Sequence, residues 1–200
     1  MTFLFFLFPP TGYYESTYYN EKPVHKVALD GFYISESPIN EKQWFAIMEG
    51  ILDDSIRANK KSYVDWYDAV SFCNKLSELQ GKTPYYTIDT ITADTSNHNK
   101  NDYKKWTVTC NRSANGFRLP TEAECEYATS FLANVYSTFG ISWCFDWYGY
   151  YKDAETQINP QGPSSGKFRV YRDLHSSRGS IRYYSFPKFR QTFHIVLPIE

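Results

Sequence analysis

The 200-residue chain has no long hydrophobic run. Its single strongly apolar stretch, MTFLFFLFPP at residues 1–10, is shorter than the roughly 20 residues that a membrane-spanning helix needs. The stretch lacks the basic start and small-residue cleavage site of a secretory leader, so an aromatic edge of the domain and a cropped leader fit it equally. Residues 1–19 are therefore read as an N-terminal extension or edge strand ahead of one domain over 20–200, with the compartment left open. Cysteine is scarce. Cys73, Cys110, Cys125 and Cys144 include no C-x-x-C pair and no His at finger spacing, which argues against structural zinc. Free buried thiols are the expectation. An excess of one charge is also missing. Lys and Arg number 21 against 22 Asp and Glu, so the whole chain has no field to hold nucleic acid or an acidic membrane.

Aromatic residues are abundant instead, at 19% with 18 Tyr. Tyrosine offers a large contact area, few rotors and a polar tip, which suits a binding surface and equally fills half-buried positions in a loop-rich domain. A hydrophobic fraction of 42% over this length is enough for one domain with a real core.

Local patterns then place the elements. VHKVALDGFYI, from Val24 to Ile34, reads as strand–turn–strand around Asp30-Gly31. Asn40 caps an expected helix over Glu41–Glu49, with Trp44, Ile47 and Met48 on one face and Gly50 beyond its end. Asp65 caps a second helix, Trp66–Gln80, whose apolar stripe is Ala69, Val70, Cys73, Leu76 and Leu79, with Gly81 closing it. Strands are expected over Tyr85–Ile91 and Trp106–Cys110, separated by a polar, exposed excursion over Thr92–Lys105. Thr121 and Glu124 form a capping box for a short helix from Glu122 to about Ser130, and this accounts for the first two of the three glutamates Glu122, Glu124 and Glu126 without catalysis. The last third has no helix pattern. Seven basic residues and one acid lie between Lys167 and Arg190, interleaved with aromatics. The structural reading is preferred to a nucleic-acid surface: these arginines bond loop carbonyls and stack on rings, and acids elsewhere cancel their charge.

The order of these pieces resembles the formylglycine-generating-enzyme (sulfatase-modifying factor) family. Glu21-Lys22-Pro23-Val24-His25-Lys26-Val27 is similar to its E-x-P-x-H-x-V opening strand. Val64-Asp65-Trp66-Tyr67-Asp68-Ala69 resembles its V-S-W-x-D-A helix start. The run from Gly116 to Ala128 (GFRLPTEAECEYA) is close to the family's most specific motif, G-x-R-L-P-T-E-A-E-W-E-Y-A. Trp143-Cys144-Phe145-Asp146-Trp147-Tyr148 and Arg169-Val170-Tyr171-Arg172 resemble two further segments, so the likeness spans about residues 20–190. It implies an α+β, C-type-lectin-like fold with two main helices, short twisted strands and many loops. The framework residues it marks are Arg118, Thr121, Glu124, Trp143, Trp147 and Arg172.

Departures from the family bear on function. The oxidase of the family holds Cu(I) with a cysteine pair after an R-G-G-S-W segment, and thiolates suit that soft ion. No cysteine follows Cys144 here, and Asp173-Leu174-His175-Ser176 replaces G-G-S-W. Copper and that oxidase activity are not expected. Cys110 and Cys125 stand where tryptophans are usual, and the stretch after Ala128 is short, so a degenerate paralogue without activity is one alternative.

The leading expectation is a non-catalytic scaffold that binds a protein or small ligand on its C-terminal loop face. The segment Arg178–Gln191 resembles the binding stretch of the variable proteins of diversity-generating retroelements. Tyr183, Tyr184, Ser185, Phe186, Lys188 and Phe189 would contact the ligand, within a framework of Arg178, Arg182, Pro187 and Arg190. A second alternative is an oxidoreductase-type enzyme of the same family, for which His25, His175, His194, Asp146 and Cys144 are the candidate groups. The oxygen-ligand motifs of calcium-dependent lectins are absent. The hard donors Asp146, Asp153 and Glu155 leave a structural calcium site open.

Overall fold

Side-chain caps start all three helices. Asn40 is extended (φ −94°, ψ 168°), and its side chain accepts from the Gln43 amide at 2.9 Å. Gln43 reaches back to accept from the Asn40 amide at 3.0 Å, completing a box that starts α1 (Glu41–Met48). Asp65 accepts from the Asp68 amide at 2.9 Å and starts α2 (Trp66–Leu79). Gly50 and Gly81 follow these helices at φ +70° and +66°, the left-handed geometry that ends a helix most cheaply. Thr121 and Glu124 make the expected box, with bonds of 2.7 and 3.2 Å, and start α3 (Glu122–Leu132). At 11 residues α3 is longer than α1, so the reading of two main helices becomes three.

The computed structural model describes residues 1–6, 21–23, 25–56, 58–132, 141–151, 156–173 and 182–199. Within them, β3 (Phe32–Ser35) pairs antiparallel with both β1 (Phe3–Phe6) and β10 (Val196–Pro198). Strands β2 (Val27–Ala28) and β7 (Gln157–Ile158) form a short parallel pair. Strands β4 (Tyr86–Ala93) and β5 (Trp106–Cys110) form an antiparallel ribbon. The remaining sheet has the order β6-β8-β9, from Ile141–Trp147, Arg169–Asp173 and Tyr183–Ser185. The expected α+β class, with short strands and long connections, is what the chain adopts.

The core has two parts. The larger is built on α2, whose Trp66, Tyr67, Ala69, Val70, Phe72, Cys73 and Leu76 are buried with Ile39, Leu119, Trp143, Phe193 and Ile195. Both central indoles have partners: Trp66 Nε1 donates to the Cys144 carbonyl at 3.0 Å and Trp143 Nε1 to the Val64 carbonyl at 3.1 Å. The smaller joins Phe32, Ile34, Cys125, Ala128, Cys144, Val170 and Val196.

The polar stretch between β4 and β5 departs from its reading. Asn97, Asn99 and Asp102 are buried, not exposed. Asp102 Oδ2 accepts from the Tyr67 hydroxyl and from Asn97 Nδ2, each at 2.8 Å. Asp94, Asn97, Asn99 and Asp102 each accept a backbone amide two residues ahead, so their side chains satisfy the loop from within. The loop is tied down by His98 N donating to Gly166 O at 2.8 Å and Gly166 N donating to Ser96 O at 3.0 Å. A polar composition signals exposure only when such partners are absent.

Gly116 marks a close approach. A Cβ there would run into the Thr83 carbonyl and lie 2.6 Å from Ser77 Oγ, the group that accepts from the Phe117 amide. Gly116→Ala is expected to cost about 1–3 kcal/mol, read as a lower urea midpoint at unchanged slope.

Candidate binding face and the buried network beneath it

The site is built from α3 and the β6-β8-β9 sheet. Strand β8 pairs antiparallel with β6 (Ser142 opposite Arg172) and with β9 (Tyr171 opposite Tyr183). Glu122 opens α3 with a carboxylate that is almost fully buried. Arg182, just ahead of β9, grips it with two bonds, Nε to Oε1 at 2.6 Å and Nη2 to Oε2 at 2.5 Å. Arg172 of β8 adds a bond from Nη1 to Oε1 at 2.9 Å and reaches Glu126 Oε2 at 3.1 Å. Two carboxylates thus face two guanidiniums, the pairing that buried charge requires. Arg182 also donates to the Gly149 carbonyl at 2.9 Å and lies over the rings of Tyr148 and Tyr151.

Asp146 of β6 completes the network from below. Its Oδ2 accepts from the Glu122 amide at 2.8 Å, one of the donors that a helix start leaves without an internal partner. Burial first, and then the neighbouring Glu122 charge, push its carboxyl up to about 8. Burial likewise raises Glu126 above the usual carboxylate range. A third buried cation, Arg169 of β8, is sandwiched between Trp66 and Trp147, at 3.7 and 3.4 Å from the ring centres. It donates to the Phe145 carbonyl at 2.7 Å, and burial pushes the guanidinium down to about 9. Arg118, on the far side of the capping box, pairs with both oxygens of Glu124.

The expected ligand residues fall in two groups, because successive residues of β9 point to opposite faces of the sheet. Tyr183 stacks parallel on Tyr171 with ring centres 5.3 Å apart. Tyr184 lies between Tyr148 (4.3 Å) and Phe168 (4.9 Å), and Phe186 touches Phe168 and Phe189. Pro187 is buried and its carbonyl accepts from the Trp66 amide at 2.8 Å, so the turn is anchored at its centre. Lys188 donates to the Asn101 carbonyl at 3.1 Å and lies over Tyr103, which joins the face to the buried-asparagine loop. Tyr184 is 49% and Phe189 50% exposed, although both rest on other rings. Ser185 is half-buried in β9.

The face is wider than the sequence reading made it. Tyr148, Phe168, Tyr103 and Tyr150 were not named for it, since they lie in other segments and only the sheet register brings the first two beside Tyr184. Glu122, read as a helix-start residue, is also the anion that holds Arg172 and Arg182. Of the expected framework residues, Trp143 donates to the Val64 carbonyl, Trp147 lies against Arg169, Arg172 pairs with Glu122, and Arg118 and Thr121 both contact Glu124. Arg178, His175, Asp153 and Glu155 lie outside the described residues.

Among the described residues, the candidate enzyme groups His25, His194, Asp146 and Cys144 each have a separate structural contact. His25 sits just ahead of β2 rather than in a strand, with Nδ1 at 3.0 Å from the Pro23 carbonyl. His194 is buried beside Ser142, Asp146 holds α3, and the Cys144 thiol is pushed well up by burial. Among the described residues no three His, Cys, Asp or Glu side chains are grouped to hold a metal. No helix among them is long and apolar enough to cross a membrane.

Three helices, short strands in small sheets and long ordered loops around a buried arginine–glutamate frame define an α+β domain of the C-type-lectin-like, formylglycine-generating-enzyme class. The family model described as Sulfatase-modifying factor enzyme 1-like domain matches residues 7–169, and the chain belongs to this family. Among curated proteins it is 46% identical over 106 residues to the Chaperone protein LppX of Paenibacillus barcinonensis, a match covering 52% of this chain and 38% of that protein. It is 26% identical over 195 residues to the serine/threonine-protein kinase pkn1 of Chlamydia caviae, covering 76% of this chain and 29% of the kinase. The chain therefore spans well under half the length of these relatives. Among solved structures, Treponema denticola variable protein 1 superposes with a TM-score of 0.74 at 19% identity, covering 98% of this chain and 95% of the other. CarF superposes with a TM-score of 0.59 at 15% identity, covering 99% and 98%.

Two outcomes test the network. Glu122→Gln removes the carboxylate charge that two buried guanidiniums share, leaving Arg172 only Glu126 as a counter-charge among the described residues, and is expected to cost about 3–5 kcal/mol in equilibrium unfolding. Asp146 binds its proton more tightly in the folded than in the unfolded chain. Its contribution is therefore fully present below the ordinary pKa of 3.8 and is lost as pH rises through about 8. Asp146→Asn should flatten that part of the stability profile and raise the melting temperature at pH 8 relative to wild type.

Proposed function

We propose that this chain is a non-catalytic member of its family, a scaffold that displays an aromatic face for a protein or small-molecule ligand. The observation that carries this reading is the run Tyr148, Tyr184, Phe168, Phe186 and Phe189, stacked ring to ring over a buried ion-paired frame. Rings held by their neighbours lose little freedom when a partner covers them, and exposed Tyr and Phe supply most of the energy of such contacts. The amino-acid sequence adds that no cysteine pair follows Cys144, so the copper chemistry of the family's oxidase has no ligands after that point. Treponema denticola variable protein 1 shares the fold alone at 19% identity, and its name agrees with a display role without assigning one here.

The reading predicts that function resides in Tyr183, Tyr184, Ser185, Phe186, Lys188 and Phe189 together with the neighbouring Tyr148 and Phe168. Affinity capture with the intact chain, partners identified by mass spectrometry, supplies the ligands. A Tyr184→Ala, Phe186→Ala, Phe189→Ala triple variant should bind each of them at least about 30-fold more weakly, with the far-UV spectrum retained. Unchanged affinity for every recovered partner would remove the face from the account.

A further inference from the structure

The smaller core cluster holds two thiols in contact. Cys125 lies on α3 and Cys144 on β6, with Sγ atoms 3.5 Å apart and both side chains fully buried. They belong to the same apolar cluster as Phe32, Ile34, Ala128, Val170 and Val196. Beyond its partner, the Cys144 thiol donates to the Ser142 carbonyl at 3.9 Å, and it feels the charges of Asp146 and Glu122. No third ligand is grouped with them among the described residues, so the pair does not read as a metal site. Where the family resemblance leads one to expect a tryptophan, position 125 thus offers a thiol facing another thiol. A disulfide needs sulfurs about 2.05 Å apart, so the two thiols, already in van der Waals contact, would have to draw closer.

We propose that Cys125 and Cys144 are a disulfide-forming pair, a modification site that covalently joins helix α3 to strand β6 when the chain folds in the presence of a disulfide oxidant. One thiolate attacks the external disulfide and expels one thiol, leaving a mixed disulfide. The second thiolate then attacks the protein sulfur of that bond and expels the other thiol. One S–S bond forms in the protein and one breaks in the oxidant; two electrons pass to the oxidant, and the two thiol protons end on its released thiols. Burial raises the Cys144 thiol, so the native pair is slow to react and the exchange belongs to folding or to opening of α3 from β6.

The bond would act on the frame beneath the aromatic face. Glu122 lies three residues before Cys125, and Asp146 two residues after Cys144. Fixing the two elements to each other fixes the carboxylate that receives Arg172 and Arg182. The proposal does not depend on the display reading, because it concerns only the thiols.

The test uses the full chain, reduced and unfolded, then refolded with a mixture of reduced and oxidised glutathione. Free thiols are alkylated and crosslinked peptides mapped without reduction. The expected product retains two alkylatable thiols, Cys73 and Cys110, carries a Cys125–Cys144 crosslink, and melts about 5–10 °C above the reduced chain. Cys125→Ala and Cys144→Ala should each abolish the crosslink. Four free thiols after refolding, any other pairing, or glutathione adducts at Cys125 and Cys144 without a crosslink would overturn the proposal. A crosslinked chain that melts no higher than the reduced one would overturn it too, since the bond would then strain the native packing.

Discussion

The rest of the site depends on one carboxylate kept out of water. Glu122 stands at the first turn of α3, where the helix start favours negative charge, yet it is too buried to be stabilised by solvent. Arg182 and Arg172 supply the compensation from β8 and from the residue ahead of β9. A helix and two strand segments 50 and 60 residues further along the chain therefore meet at one charge. Asp146 adds the amide contact that fixes where α3 begins, so the anion cannot drift from its cations. Buried ion pairs of this kind contribute little net stability and much geometric definition, because each broken bond strands a charge.

The aromatic face follows from that constraint. Arg182 immediately precedes Tyr183 and Tyr184, so anchoring it sets the register of the edge strand. The two tyrosines then land beside Tyr171, Tyr148 and Phe168. A second anchor at Pro187 and Trp66 holds the following turn, and Lys188 ties it to the Asn101 carbonyl. The loop beneath that carbonyl is itself fixed by Tyr67, Asn97 and Asp102. Exposed rings sit between buried anchors throughout, which suits a surface whose side chains can change while its backbone does not.

Local chemistry explains what the sequence made legible. The helix starts at Asn40, Asp65 and Thr121 and the stops at Gly50 and Gly81 rest on contacts within a few residues, and they were readable to the residue or nearly so. The aromatic, partly exposed character of residues 183–189 was also legible, because it lies in one segment. The ion-pair frame was not, since Glu122 finds Arg172 and Arg182 50 and 60 residues away. The buried loop at Asn97, Asn99 and Asp102 was misread for the same reason. Its polar residues look solvated until Tyr67 and the loop's own amides appear as their partners. Whether any cysteines meet was not legible, because only the packing of α3 on β6 brings Cys125 and Cys144 together.

The central claim is that the buried Glu122 charge holds the edge strand and so the face. Amide hydrogen exchange, read by mass spectrometry over residues 182–189, tests it most directly when wild type is compared with Glu122→Gln at a temperature where both remain folded. The account predicts slow exchange in this segment of the wild type despite its exposed side chains. In the variant, protection should be lost there while the β4–β5 ribbon keeps its own. Equal protection of residues 182–189 in both proteins would contradict the account.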